Sequence, residues 1–366
     1  MKVNGLSWIS FRLPLRAPFR TAGGEMTHRE GLVLRLATDA GIVGLGEASP
    51  HPDAGPGAAR ALEAALARAA PRLLGTDVDR LGQQAAELPP SLACAIDTAA
   101  CDALAQAEGV SVARFLGQPV RASVPVNATI ATESGAEAVS QATVAREAGF
   151  SCVKLKVGMA GNIEEERWRV AAVRAALGSD VALRIDANGA WSFEQAISTI
   201  QALEEYDLEL VEQPVAADAL TDMARVRTAV SAPIAADEDV TSLAAAQRVL
   251  EAGAADILVI KPMVVGGLRP ARKIAELASA AGASVVVTTT IDAAVGTAAA
   301  LHLAATLPAG GPACGLATGA LLADDLVVAP LVTDDGRISV PAGPGLSVEL
   351  DDAKLAQYGE AERGVA

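Results

Sequence analysis

From about Val124 onward the chain alternates short apolar runs with Ala-rich stretches, and most of the runs close on a charged residue. The runs fall at about residues 124–130, 151–156, 181–186, 207–211, 233–236, 256–260, 284–289 and 313–317. Apolar runs of strand length separated by helical stretches predict parallel strands joined by right-handed crossovers. Eight such runs favour closure into an α/β (β/α)8 TIM barrel over an open sheet. The first 50 residues follow another pattern. There "LSWISFRLPLR" and "EGLVLRLATDAGIVGLGEAS" read as strands with a turn at "TDAG", and the polar, Gly-containing "PFRTAGGEMTHRE" reads as a loop between them. Residues 57–70 and 91–108 are Ala-rich and helical. The predicted organisation is an α+β capping domain over residues 1–123, a barrel over 124–321, and a turn-rich segment over 322–366 that returns to the cap.

The charged residues that close the runs form a ladder. Lys154 and Lys156 end one, followed by Asp186, Glu212, Asp237 and Lys261, with gaps from Lys156 of 30, 26, 25 and 24 residues. That spacing is about one strand, one helix and two loops, so each charge recurs once per unit. In a barrel the C-terminal strand ends converge on one face, which makes these residues neighbours around one pocket.

Asp186, Glu212 and Asp237 offer three hard oxygen donors from successive units, a set suited to Mg2+, with Mn2+ as a substitute. A single such Asp would more simply cap the following helix, but three at even spacing between lysines point to a metal site. Lys156 and Lys261 approach that site from opposite sides of a closed barrel. A lysine serves as a general base only if its pKa falls, and Lys154, on the same strand face as Lys156, is expected to supply positive charge for that shift. Asn188 and Glu238 follow two of the carboxylates and are expected to support them.

Composition narrows the field. Net charge is −15, which disfavours a sequence-independent grip on nucleic acid or an anionic membrane and leaves a small carboxylate substrate open through a local metal and lysines. Aromatic residues are only 3% against 51% apolar overall, so the core must be built from Ala, Val, Leu and Ile. The four cysteines, Cys94, Cys101, Cys152 and Cys314, show no CxxC spacing and read as buried thiols. No apolar stretch has membrane-spanning length, and the N-terminus lacks a secretory apolar segment, so a soluble cytoplasmic protein is expected, compatible with a homo-oligomer.

Lys-x-Lys, then Asp, Glu and Asp on the next three strands, then Lys, resembles the enolase superfamily, muconate-lactonizing-enzyme subgroup. "GIVGLGEASP" resembles the cap of that subgroup and "PAGPGLSVELD" its C-terminal return. The resemblance implies an enolase-type modified barrel and a Mg2+ enzyme that abstracts a proton α to a carboxylate and stabilises the resulting enediolate. By position it implies Asp186, Glu212 and Asp237 as metal ligands, Lys156 and Lys261 as the acid/base pair, and Lys154 as an electrostatic aid.

Within the superfamily, the mandelate-racemase branch would need a late catalytic histidine. Only His28, His51 and His302 are present, and His302 reads as part of a helix. Dipeptide epimerases would show an Asp-x-Asp pair after the last strand. "CGLATGALLADDL" lacks it there, and Asp324 and Asp325 come too late. The cap segment "TAGGEMTHREGLVLRL" resembles the o-succinylbenzoate synthase family of menaquinone biosynthesis, which implies a lyase that dehydrates a succinyl-bearing hydroxycyclohexadiene carboxylate. A muconate-type cycloisomerase or an N-acylamino acid racemase is the alternative. A non-catalytic binding barrel is disfavoured because every rung of the ladder is present. Thr289, Thr290, Gly315 and Gly24 are the expected substrate contacts, and Phe19–Glu30 the expected lid.

Overall fold

The computed structural model describes residues 1–21, 24–158 and 162–366. Its N-terminal part is an antiparallel sheet in which β1 (Val3–Thr21) pairs along most of its length with β2 (Gly24–Thr38), and β2 with β3 (Val43–Ala48). The described residues of the segment read as a loop are therefore mostly paired strand, with Phe19 opposite Met26 and Thr21 opposite Gly24. Polarity and glycine suggested a loop, but two strands that hydrogen-bond to each other satisfy their backbone groups without an apolar pattern. The lid expectation falls partly on Ala22 and Gly23, outside the described residues, as do the side-chain surroundings of Gly24.

One face of this sheet packs on the helix Pro90–Glu108, where the closest approach is between backbones. A Cβ at Gly44 or Gly46 would collide with the carbonyls of Ala99 or Ala95, so glycine is what lets β3 lie directly on the helix.

The chain then enters the barrel. The run at 124–130 divides into β4 (Ser123–Pro125) and β5 (Ala128–Ile130), and only β5 joins the parallel sheet. There follow β6 (Cys152–Lys156), β7 (Ala182–Asp186), β8 (Leu208–Glu212), β9 (Ile234–Ala236), β10 (Ile257–Ile260) and β11 (Ser284–Val287), paired in chain order. The eighth expected strand, at 313–317, is reduced to two bridge residues. Cys314 pairs with Val126 beside β5, and Gly315 with Thr288 beyond β11, so this short segment links the two ends of the seven-stranded curled sheet. Gly315 approaches Thr288 too closely for a side chain, since an added Cβ would meet its hydroxyl.

After the barrel, β12 (Thr333–Asp334) and β13 (Arg337–Ser339) form a small sheet with β4, and β14 (Arg363–Val365) adds to β1 in the cap sheet. All four cysteines are buried free thiols. Among the described residues no helix is long and apolar enough to cross a membrane.

His302 is fully buried in the helix Ala294–Ala305, as a packed histidine. Its Nδ1 accepts from the Ala113 amide at 3.3 Å, so the proton sits on Nε2, which donates to the Leu346 carbonyl at 3.0 Å. Burial lowers its pKa, against a smaller opposing effect of the Leu346 bond. The neutral ring's contribution to stability is thus present above the unfolded value of about 6.5 and lost as pH falls toward the depressed folded value. Thermal unfolding of wild type should therefore weaken more steeply than that of His302→Gln between about pH 7 and 5. Parallel pH dependences would refute the assignment.

Candidate active site

Period-two alternation on the barrel strands sorts side chains by depth. Leu210, Ala235, Ile257, Val259 and Val286 form an apolar cluster, and the charges stand at the strand ends above it. Register brings Lys156 beside Asp186 and Asp186 beside Glu212 on adjacent strands. Six residues spread over more than a hundred positions are thereby gathered at one mouth.

The ammonium of Lys154 bridges Asp186 and Glu212, at 2.9 and 2.8 Å. Lys156 donates to Asp186 Oδ2 at 2.9 Å and to Asn188 Oδ1 at 2.5 Å. Across the mouth Lys261 donates to Asp237 Oδ2 at 2.6 Å. Asn188, turned into the left-handed region just after β7, spans the site by donating to Glu238 Oε1 at 2.9 Å. The carboxylates lie deepest, with the Asp186 side chain fully buried, whereas those of Lys156 and Lys261 keep 24% and 18% of their surface exposed. The lysines are thus the groups a substrate entering the mouth can reach.

The electrostatics follow from this crowding. Burial would raise Asp186, but Lys154 and Lys156 outweigh it and hold the carboxyl well below its usual range. Glu212 is pushed up to about 7 by burial and by Asp186, with Lys154 opposing. Burial draws Lys154 and Lys261 down, yet the carboxylates prevail and both end above the ordinary lysine value. The downward shift expected of a catalytic lysine is therefore not produced at these two positions by protein charges alone.

No three His, Cys, Asp or Glu side chains among the described residues stand together as a ready-made metal cage, because the three carboxylates expected to form one each accept from a lysine instead. Their chemistry nevertheless fits a hard divalent cation. All are oxygen donors at adjacent strand ends, their negative charges disfavour one another, and Glu238 Oε2 is buried without a hydrogen-bond partner beside them.

The expected substrate contacts have other obligations. Thr289 Oγ1 hydrogen-bonds to Thr318 Oγ1 at 2.6 Å, and Thr290 Oγ1 donates to Asp292 at 2.6 Å. Gly315 is held in the barrel closure by its amide bond to Val287. Gln213, which the strand pattern did not single out, accepts from the Asp237 amide at 3.0 Å and donates to Asp239 at 2.7 Å, pinning the end of β9. Nor does the strand pattern mark His51. From the cap it feels Lys261 and Asp237 and lines, with Met26, His28, Arg29 and Pro50, a cleft of about 290 Å3. A lone histidine in a Pro- and Gly-rich loop carries no sequence signal of such a position.

Fold and site together define a capped barrel with two partly exposed lysines on opposite sides of a mouth floored by buried carboxylates. The N-terminal domain model of mandelate racemase and muconate lactonizing enzyme matches residues 6–117, and the enolase C-terminal domain-like model matches 137–354. The chain belongs to the muconate-lactonizing-enzyme subgroup of the enolase superfamily. It is 36% identical over 351 residues to an o-succinylbenzoate synthase of Thermobifida fusca, covering 95% of this chain and 90% of that protein. A chloromuconate cycloisomerase of Cupriavidus necator is 31% identical over 368 residues, covering 98% and 99%. The muconate lactonizing enzyme of Pseudomonas fluorescens, solved with muconolactone, superposes with a TM-score of 0.92 at 28% identity over 98% of this chain and 99% of that one. The relatives thus share the scaffold and differ in reaction, as expected when substrate choice lies in a few residues.

Proposed function

We propose that this enzyme dehydrates a succinyl-bearing hydroxycyclohexadiene carboxylate to o-succinylbenzoate, a step of menaquinone biosynthesis. The observation that carries the reading is the pair of partly exposed lysines, Lys156 and Lys261, on opposite sides of one mouth. The similarity to a synthase over nearly the whole chain supports the choice of substrate class.

In this reading Lys156, in its neutral form, takes the proton α to the substrate carboxylate. The electron pair passes onto the carboxylate oxygens and then returns to form the ring double bond as the adjacent C–O bond breaks. In a syn elimination the leaving hydroxyl is on the same face, so the proton just accepted by Lys156 can depart with it as water. Lys261, held charged by Asp237, stabilises the negative charge from the other side, and Lys154 does so from below. Mg2+ held by Asp186, Glu212 and Asp237 would supply further positive charge to the substrate carboxylate. Asn188 and Glu238 would keep the Lys156 side of the mouth in place.

Asp324 and Asp325 argue against recognition of a substrate ammonium at that position. Asp324 pairs with Lys354 at 2.7 Å, and Asp325 accepts the Ala294 and Leu326 amides. The second reading is a muconate-type cycloisomerase, favoured by relatives of nearly equal length with that activity. An N-acylamino acid racemase would use both lysines to exchange one proton.

The deciding experiment incubates purified protein and Mg2+ with the succinyl-cyclohexadiene acid, cis,cis-muconate and N-succinylamino acids. Rapid aromatisation of the first is expected. Turnover of muconate without any of the first would replace the synthase reading with the cycloisomerase one.

A further inference from the structure

A second cluster of buried charge lies where the cap meets the barrel, outside the ladder. From the cap come Arg29 on β2 and Glu47 on β3, respectively 2% and 1% exposed. From the barrel comes the segment after β11, residues 288–292, whose Asp292 is also buried. Arg29 Nε donates to the Ile291 carbonyl at 2.9 Å, and its Nη2 reaches Thr290 Oγ1 at 3.4 Å. Glu47 accepts the amides of Ala293 and Gly296, each at 2.8 Å, and the Ser49 hydroxyl at 2.8 Å. Ser49 in turn donates its amide to Met263 Sδ at 3.4 Å, two residues beyond Lys261.

The segment so gripped is strained. Ile291 has φ of +63°, a left-handed conformation that a β-branched side chain adopts only when its surroundings impose it. The residues on either side are tied in opposite directions. Thr288 Oγ1 donates to the Gly315 carbonyl in the barrel closure, Thr289 bonds to Thr318, and Thr290 turns to Asp292 through both its amide and its hydroxyl. The left-handed turn at Ile291 is what allows the chain to serve the mouth before it and the helix Ala294–Ala305 after it. The group that holds its carbonyl comes from the other domain, 262 residues away in sequence.

We propose that Arg29 is a positioning residue: from the cap it locks the strained Thr289–Ile291 turn at the barrel mouth, so that correct docking of the cap is required for correct geometry of the site. Glu47 reinforces the lock by fixing the backbone that follows. One guanidinium between two carboxylates makes the junction sensitive to its partners. Burial and then Asp292 push Glu47 up to about 7, against the opposing bonds from Gly296, Ser49 and Ala293. The inference concerns placement of the mouth and holds for any α-proton abstraction in this barrel; it rests on the proposed function only in taking that mouth as the active site.

The test is a double-substitution cycle between Arg29 and Ile291. Arg29→Lys keeps the charge and loses the Nε–H that reaches the Ile291 carbonyl. Ile291→Gly lets the turn adopt positive φ without strain. Arg29→Lys alone should lower kcat at least tenfold for whichever acid the wild type turns over, with KM changed less than about threefold. In the Ile291→Gly background the same change should cost less than a third as much. Hydrogen exchange supplies a readout that needs no substrate: amides of Ile291, Ala293 and Gly296 should exchange faster in Arg29→Lys while those of β6 and β7 keep their wild-type rates. Equal losses of kcat in both backgrounds, or unchanged exchange at those three amides, would overturn the proposal. If wild type turns over none of the acids, the reaction assignment fails, and the exchange measurement still decides the role of Arg29.

Discussion

Replacing Lys156 with methionine is expected to lower turnover by about 10²–10⁴-fold, the range for loss of a general acid/base group. The effect should fall on kcat, because Lys156 would act on the proton and not on the remote arm of the substrate. The fold should survive, since the side chain is partly exposed and Asp186 keeps its second ammonium partner, Lys154. Lys261→Met separates the reaction classes. For dehydration by one base it should cost less than Lys156→Met, because Lys261 would only stabilise charge. For racemisation the two losses should be similar, since each lysine serves one face. Exchange of the α-proton in D2O reads this directly. Full exchange activity in Lys156→Met would remove Lys156 from the mechanism.

The second large effect is expected at Asp237→Asn, which should weaken Mg2+ binding about tenfold or more, given that even outer-shell partners of metal ligands are worth 10–100-fold. Two opposing effects bear on stability. Loss of the carboxylate takes the charged partner from Lys261, and breaking a buried pair can cost about 3–5 kcal/mol. Against this, Asn can still accept the Lys261 hydrogen bond, and removing one negative charge relieves Glu212, which Asp237 helps to push up. The Lys261 side chain also keeps 18% of its surface in contact with solvent. The relief and the solvent access should win, leaving the melting temperature within a few degrees of wild type while activity at low Mg2+ collapses. Calorimetric titration with Mg2+ beside a thermal melt checks both. Unchanged Mg2+ affinity would show that the ladder is an ion-pair network and not a metal site.

What was legible in the sequence was periodic. Strand and helix units of near-constant length placed Lys154, Lys156, Asp186, Glu212, Asp237 and Lys261 at one end of parallel strands, and alternation put them on one face. Both are local properties of the chain, so no tertiary contact was needed to see them. The tertiary structure decided which charges pair: Lys154 bridges two carboxylates, Lys156 shares Asp186 and Asn188, and Lys261 takes Asp237. Register between strands and side-chain rotamers set these partners, and neither is written in the spacing.

The closure of the barrel was legible only in outline: the sheet does close at the run 313–317, but through single bridges at Cys314 and Gly315 and not through a full strand. The pairing of Phe19 with Met26 and of Thr21 with Gly24 lay further from view, since backbone pairing there overrides a polar, loop-like composition. Arg29 and Glu47 show the limit most clearly. Each ordinarily reads as a surface charge, and each is buried because a partner 262 or 246 residues away closes over it. Burial of a charge depends on what packs against it, so a residue of this kind becomes recognisable only once the two domains are in contact.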